Sequence, residues 1–460
     1  MRGMTSSLPS ATSTPPIDTS STVRPGFLAS FEEPEFRKVW LGAVLFGLGM
    51  WMERLATGWF VLEVTGSVFV AALSFAIRAI PNLVLGPIGG AVSDRLARER
   101  VLAATALVRT GAAVLMAVIV VVDVQTIPLL LALVFLSGST IAFQNTSLQP
   151  LQADLVGPGR LGNAIALTSF GQRSIGVVGA LTGGVLIAWL GPATTFAAGA
   201  LPLAAAAFVF SRVRSPERIT GRTPARFLSE VLDGLRLLFG TPMVRLLLAM
   251  MICVEILGFS YQGLLPAVAE RILEVGPERL GVLTASAAVG SMVGMAFLVF
   301  AADRLRRGLM LVAVFASFGV LLVLLGWSTT FWLSMLAVAG IGASAAMIDA
   351  LEWMMLQTSV PGHLRGRALG GWNFAIGWGW IGPISLGALA DATSVTTALA
   401  VSGSLLVSVA AIALVAAAPL RRCAARARYS DVGRRAPRPP AGRGSWRLAG
   451  GAQHRGRRCG

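Results

Sequence analysis

A chain of 460 residues with 55% apolar and only 13% charged residues cannot build a water-facing surface, since globular chains carry roughly 25% charged residues. With a mean hydropathy of +0.73 it reads as an all-α polytopic membrane protein, because only helices or closed barrels satisfy the backbone in lipid and these apolar runs are far longer than barrel strands. The net charge of +16 does not indicate nucleic acid: residues 419–460 hold twelve arginines against Asp431 alone and supply +11 of it. Lys38 is the single lysine, so no G-x-x-x-x-G-K-[ST] phosphate loop exists; with only His363 and His454 there is no H-E-x-x-H zinc site. An ATP-hydrolysing pump and a zinc protease are excluded, and no cofactor or metal is expected. Cys253 lies in an apolar run and Cys423 and Cys459 lie in the tail, which indicates no disulfide framework.

Residues 1–37, rich in Ser, Thr and Pro, lack a signal-peptide apolar core and read as a disordered cytoplasmic N-terminus, leaving targeting to the first membrane helix. Apolar stretches then predict twelve spans: 39–62, 68–91, 101–122, 127–149, 164–190, 193–211, 243–268, 280–301, 309–326, 330–356, 366–390 and 395–418. With the N-terminus inside, the inner loops hold fifteen arginines and the outer loops only Arg271 and Arg279, so the positive-inside rule predicts both termini cytoplasmic. A basic cytoplasmic linker, 212–242, separates six-helix bundles at 38–211 and 243–418. Residues 419–460, rich in Arg, Pro and Gly, read as a disordered, solvated cytoplasmic tail.

The two bundles look like copies. Ser93-Asp94-Arg95-Leu96-Ala97-Arg98 follows the second helix of the first, and Ala302-Asp303-Arg304-Leu305-Arg306-Arg307 follows the second helix of the other, 209 residues on. Gly179-Ala180-Leu181-Thr182-Gly183-Gly184 in helix five aligns with Gly382-Pro383-Ile384-Ser385-Leu386-Gly387 in helix eleven, 203 residues on. Parallel six-helix repeats with a site between them at mid-membrane are a transporter architecture.

Across residues 38–418 the chain resembles the major facilitator superfamily. The segment Gly90 to Arg100 looks like its loop signature between helices two and three, with Ala97 and Glu99 departing from it. Gly179 to Gly184 resembles the G-P-x-x-G-G motif of proton-coupled exporters, with Ala180 in place of proline. Thr65-Gly66-Ser67, Gly263-Leu264-Leu265-Pro266 and the Val360 to Arg367 segment resemble the branch containing the enterobactin exporter and macrolide efflux proteins.

Ionisable residues inside a bilayer are costly unless paired or solvated, which makes them the functional candidates here. At about 1.5 Å per residue, Glu255, Arg78 and Arg173 fall near mid-membrane, Glu53 and Arg54 nearer the outer end of helix one, and Arg109 a turn or two into helix three. Glu53 and Glu255 are the proton-coupling candidates; a fixed Glu53–Arg78 pair that only holds helices together is the alternative. Arg78, Arg173, Gln144, Asn145, Trp372 and Asn373 are candidates for the substrate cavity, where aromatic walls with a few polar groups hold amphipathic ligands; lipid-facing tryptophan is the other reading of helix eleven. Asp349 and Glu352 share one face near the inner end of helix ten and read as a cytoplasmic gate or a solvated helix end, with a proton site as the alternative.

The resemblance implies that Asp94 meets the N-terminus of helix eleven, where the dipole favours negative charge. Gly90, Arg95, Arg98, Arg100, Asp303, Arg304, Arg365 and Arg367 would complete that gate, closed in the outward-open state. Gly179, Gly183, Gly184, Gly382 and Pro383 allow close helix packing. The expectation is a monomeric twelve-helix secondary transporter in the lipid bilayer of a bacterial plasma membrane. It exchanges protons for an amphipathic small-molecule substrate such as a drug, a macrolide-like compound or a siderophore, with no nucleic-acid partner. An importer or facilitator, or a polytopic membrane enzyme or sensor, remains the alternative.

Overall fold

The computed structural model describes residues 28–124, 126–157, 159–215, 242–301, 305–360 and 365–416, which form twelve helices and no strand. In the first half these are α1 (Pro34–Thr65), α2 (Val68–Arg95), α3 (Arg98–Val121), α4 (Ile127–Val156), α5 (161–190) and α6 (192–211). In the second they are α7 (Pro242–Ile272), α8 (Pro277–Ala301), α9 (Arg307–Trp327), α10 (Phe331–Ser359), α11 (365–392) and α12 (Val395–Ala416). The spans predicted from hydropathy and the helices coincide within five residues except at the end of α4, which runs seven residues past 149.

Local chemistry sets several of the boundaries. Pro34 opens α1, where its missing N–H costs nothing, and Gly66 closes it in the left-handed region at φ 61°, with its N–H on the Leu62 carbonyl. Ser67 then caps α2, its hydroxyl accepting from the Val70 N–H. Gly191, at φ 79° and followed by Pro192, breaks the helical run Leu161–Ser211 into α5 and α6. Two helices of the second half are irregular. In α7, π-helical turns at Val254–Gly258 and Val268–Ile272 flank a short α segment containing Pro266, and α11 passes through a 3-10 turn at Gly377–Trp380.

Residues 28–37, expected to be disordered, are ordered in part. A 3-10 turn at Ala29–Glu32 buries Ser30, whose N–H donates to Asn163 Oδ1 at 3.1 Å. Phe31 packs its ring on Phe36 and Trp40, beside Ala164 and Leu167, so three aromatic rings supply the burial that the Ser/Thr-rich composition concealed. Of the linker, only 212–215 and the first residue of α7, Pro242, are described. There the Arg214 N–H donates to Glu35 Oε2 at 2.8 Å. The tail 419–460 lies outside the described residues.

The halves meet along two diagonals at the end of the bundle away from the chain termini. On one, Gly184 of α5 faces Gly281 of α8, where a Cβ on Gly184 would stand 3.0 Å from the Gly281 Cα. On the other, Gly387 of α11 faces Ala72 of α2, where a Cβ would stand 2.7 Å from the Ala72 Cβ. Ala72 and Gly281 are 209 residues apart, and Gly184 and Gly387 are 203 apart, the same offsets as the sequence repeat. The contact between halves continues to mid-depth at Leu83 with Gly377 and at Arg173 with Ser291. Among the described residues no comparable packing joins the halves on the termini side.

Candidate functional site

A cavity of about 480 Å³ lies between the halves at mid-depth, walled by α1, α2, α4 and α5 on one side and α7, α8 and α10 on the other. Phe46, Trp51, Phe75 and Phe259 give it apolar walls, and Gln144, Asn145, Gln172, Tyr261 and Gln262 interrupt them with polar groups. Its charges are divided between the halves: Arg54 and Arg173 come from the first, Asp349 from the second. The Arg54 guanidinium lies 5.0 Å from the Trp51 ring and 5.1 Å from the Phe75 ring and donates to Gln262 across the interface. Arg173 donates to Ser291 at 3.0 Å, also across the interface, and lies within electrostatic reach of Asp349.

Of the cavity candidates, Arg173, Gln144 and Asn145 line it. Arg78 does not. It donates to Glu53 Oε1 at 3.0 Å, while Arg109 Nε donates to Glu53 Oε2 at 2.8 Å. Glu53 and Arg109 are fully buried, and Arg109 is anchored further on the Ser137 carbonyl at 3.0 Å and the Thr140 hydroxyl at 3.3 Å. The Glu53–Arg78 pair raised from the sequence is therefore present, but its second cation was missed. An arginine in the middle of apolar α3 was the available signal: such a charge needs a buried partner. Trp372 also stays outside the cavity wall, its ring set edge-on to Trp353 at 5.0 Å. The Asn373 side chain lies outside the described residues.

The second half holds its acids differently. Glu255 sits in the first π turn of α7 with its carboxyl against Gly379 of α11, where a Cβ would stand 2.7 Å from Glu255 Oε2. Asp349 and Glu352 were expected at the inner end of α10, in a gate. Instead α10 runs on to Ser359, so Asp349 lies about 15 Å from its end and reaches the cavity. Glu352 is 1% exposed, and neither carboxyl oxygen has a hydrogen-bond partner among the described residues.

On the termini side, Arg98 donates to Asp154 of its own half at 2.9 Å, Glu99 accepts from Ser215 at 2.8 Å, and Arg95 and Arg100 are exposed. Gly90 lies within the last turns of α2. Asp303 and Arg304 and the side chains of Asp94, Arg365 and Arg367 lie outside the described residues. The far end carries a cluster that was not anticipated. Asp391, in the last turn of α11, accepts from the Ser67 hydroxyl at 2.5 Å and from the N–H groups of Val68 at 2.9 Å and Phe69 at 3.0 Å. It thereby caps α2 of the opposite half. Arg271 donates to the Gly66 carbonyl and stands 3.9 Å from Asp391. Partial burial opposes the charge on Asp391, but the Ser67 hydroxyl and those two N–H groups, with Arg271 nearby, hold its carboxyl below the usual range.

The glycines do different work. A Cβ on Gly179 would stand 2.8 Å from the Trp51 Cβ, and one on Gly183 3.4 Å from Leu55, so both seat α5 on α1. Gly184 seats α5 on α8. Gly382 has no room for a side chain beside Ser260 and the Ile256 carbonyl, and Pro383 stands against Gly263, so both seat α11 on α7.

Residues 25–435 match a protein family described as transmembrane secretion effector. The chain is 28% identical over 378 residues to the multidrug efflux pump Tap of Mycolicibacterium fortuitum, covering 78% of this chain and 90% of that one. It is 26% identical over 397 residues to the enterobactin exporter EntS of Shigella flexneri, covering 85% and 93%. Among solved structures, the POT family transporter PepTSo superposes with a TM-score of 0.69 at 11% identity, covering 85% of this chain and 98% of that one. A D-xylose–proton symporter superposes with a TM-score of 0.65 at 15% identity, covering 84% and 97%, and the likeness is one of fold.

Proposed function

This chain belongs to the transmembrane secretion effector family of major facilitator transporters, a multi-pass membrane transporter and not an enzyme, and we propose that it exports an amphipathic small molecule in exchange for protons by alternating access. The observation that carries this reading is the cavity at mid-depth between the halves, in which four aromatic rings surround a few amides and charges. Such a lining holds drug-sized ligands through apolar area and orients them through a small number of polar contacts. The efflux pump and the siderophore exporter that the chain resembles support outward transport and a drug, macrolide-like or siderophore substrate.

In this reading the membrane is a bacterial plasma membrane, the termini are cytoplasmic, the protein acts as a monomer, and nucleic acid is not a partner. The far-end contacts then close the outside, and the cavity receives substrate from the cytoplasm or inner leaflet. Rocking of the halves breaks the Gly184–Gly281 and Gly387–Ala72 diagonals and brings the basic inner loops together, with Asp94, Arg95, Asp303, Arg304, Arg365 and Arg367 at the new contact. Proteoliposomes given an imposed pH gradient test it. Movement of an amphipathic dye such as ethidium against its own gradient is expected, and a flux indifferent to the pH gradient would overturn proton exchange. Dye accumulation in cells with and without the protein then extends the test to other compounds.

A further inference from the structure

The three membrane-embedded acids of the second half lack the fixed cations that Glu53 possesses. Glu352 stands out: it is buried on α10, neither oxygen meets a donor, and the charges that reach it are those of Asp349, one turn away, and Glu255 of α7. Cys253 of α7 also faces it and supplies no cation. An ionised carboxylate in such surroundings is heavily penalised, because burial removes water without putting hydrogen bonds or positive charge in its place. The cation that does reach this group of acids is Arg173, which acts on Asp349 from the opposite half while hydrogen-bonded to Ser291. A buried carboxyl whose two oxygens meet no donor among the described residues fits a proton as its ligand.

We infer that Glu352 and Asp349 form a two-carboxyl proton site in the second half, with Glu352 holding the proton while the far end is closed and Asp349 exchanging it at the cavity wall. The transfer is a simple one: the O–H bond at Asp349 breaks as one forms at Glu352, directly or through one water, and no electrons change hands. Arg173 sets the direction. While it faces Asp349 it stabilises the carboxylate there, so that the proton resides on Glu352. When the halves rock and α5 carries Arg173 away, Asp349 takes up a proton from the cavity, now open to the far side. On the return Arg173 faces Asp349 again and sends that proton to Glu352, one turn nearer the termini side, so that protons move inward as substrate moves out. This deepens the proposed proton exchange and rests on it for its role in transport, but the site itself is testable without any substrate.

The test is infrared difference spectroscopy of the purified full-length protein in lipid nanodiscs at neutral pH, reading the carbonyl stretch of a protonated carboxylic acid. The wild type should show this band; Glu352→Gln should lose one component of it, Glu255→Gln should keep that component, and Asp349→Asn should displace it. A wild type without the band overturns the site, and so does a band that Glu352→Gln leaves unchanged. A band that Asp349→Asn leaves unmoved overturns the pairing, which keeps the inference open to refutation if Glu352→Gln does not fold. In proteoliposomes, Glu352→Gln should reduce pH-driven ethidium movement to the level seen without a gradient while preserving ethidium exchange. Should wild-type protein show the infrared band but no gradient-driven movement, the export reading falls and the proton site stands.

Discussion

The two halves share a sequence pattern, yet they handle their buried acids in opposite ways. In the first half Glu53 is held by two arginines, and one of these, Arg109, is tied again to the Ser137 carbonyl and the Thr140 hydroxyl. In the second half Glu255, Asp349 and Glu352 sit on irregular α7 and on α10, and among the described residues the one cation that acts on them is Arg173 of the other half, on Asp349. A carboxylate enclosed by its own helix bundle stays charged and fixes the packing. Acids whose single cation lies across a moving interface can gain and lose protons as the interface moves.

The largest effect that tests this contrast is expected at Arg109. Arg109→Leu removes one partner of a fully buried pair, and such losses cost about 3–5 kcal/mol, so the yield of folded protein and its unfolding temperature in detergent should fall sharply. Adding Glu53→Gln should recover part of the loss by removing the stranded charge. If Arg109→Leu folds normally and alters only proton coupling, the contrast is reversed and Glu53 is the mobile group.

The next effect is at Glu255. Glu255→Gln keeps shape and hydrogen-bonding capacity, so stability should change by less than about 1 kcal/mol while pH-driven export falls and ethidium exchange persists. Full gradient-driven export by this variant would leave coupling to Asp349 and Glu352 alone.

A smaller effect is expected at Asp391. Its carboxyl is held below the usual range, so its cap on α2 is fully present above the unfolded-state value and is lost as pH falls through the folded one. Acid on the far side should therefore loosen that end. In a background with Cys253, Cys423 and Cys459 replaced by Ser, labelling of Ala180→Cys from the far side should rise at low pH. Asp391→Asn should raise labelling at neutral pH and flatten the dependence; equal labelling in both proteins would remove Asp391 from closure. The smallest effect is expected from truncation after Cys423, since the residues removed have almost nothing apolar to bury. Folding and transport should be nearly unchanged, and loss of activity in equally abundant, inserted protein would reveal a partner for the arginines.

Parts of the site were legible in the chain because their residue types are conspicuous in an apolar background. Arg173, Gln144 and Asn145 are polar residues at mid-span, and they line the cavity. Arg78 and Trp372 have the same kind of placement but turn to Glu53 and to Trp353, because a helix rotation of one residue moves a side chain by about 100° and hydropathy does not fix that rotation when every face is apolar. The Asp391 cap was hidden for a different reason: its partners lie 322 to 324 residues away, and the pairing exists only when the halves meet at that end.

Sequence alone therefore determined the helices, their number, the break into two halves and the family. Lipid allows a long apolar segment few conformations besides a helix, so composition and punctuation by Gly, Pro and charge suffice. Which charge meets which was decided by the tertiary structure. The environment of a buried carboxyl depends on how helices rotate and close on one another, and that is why Glu53 has two arginines while Glu352, in the other half, has none among the described residues.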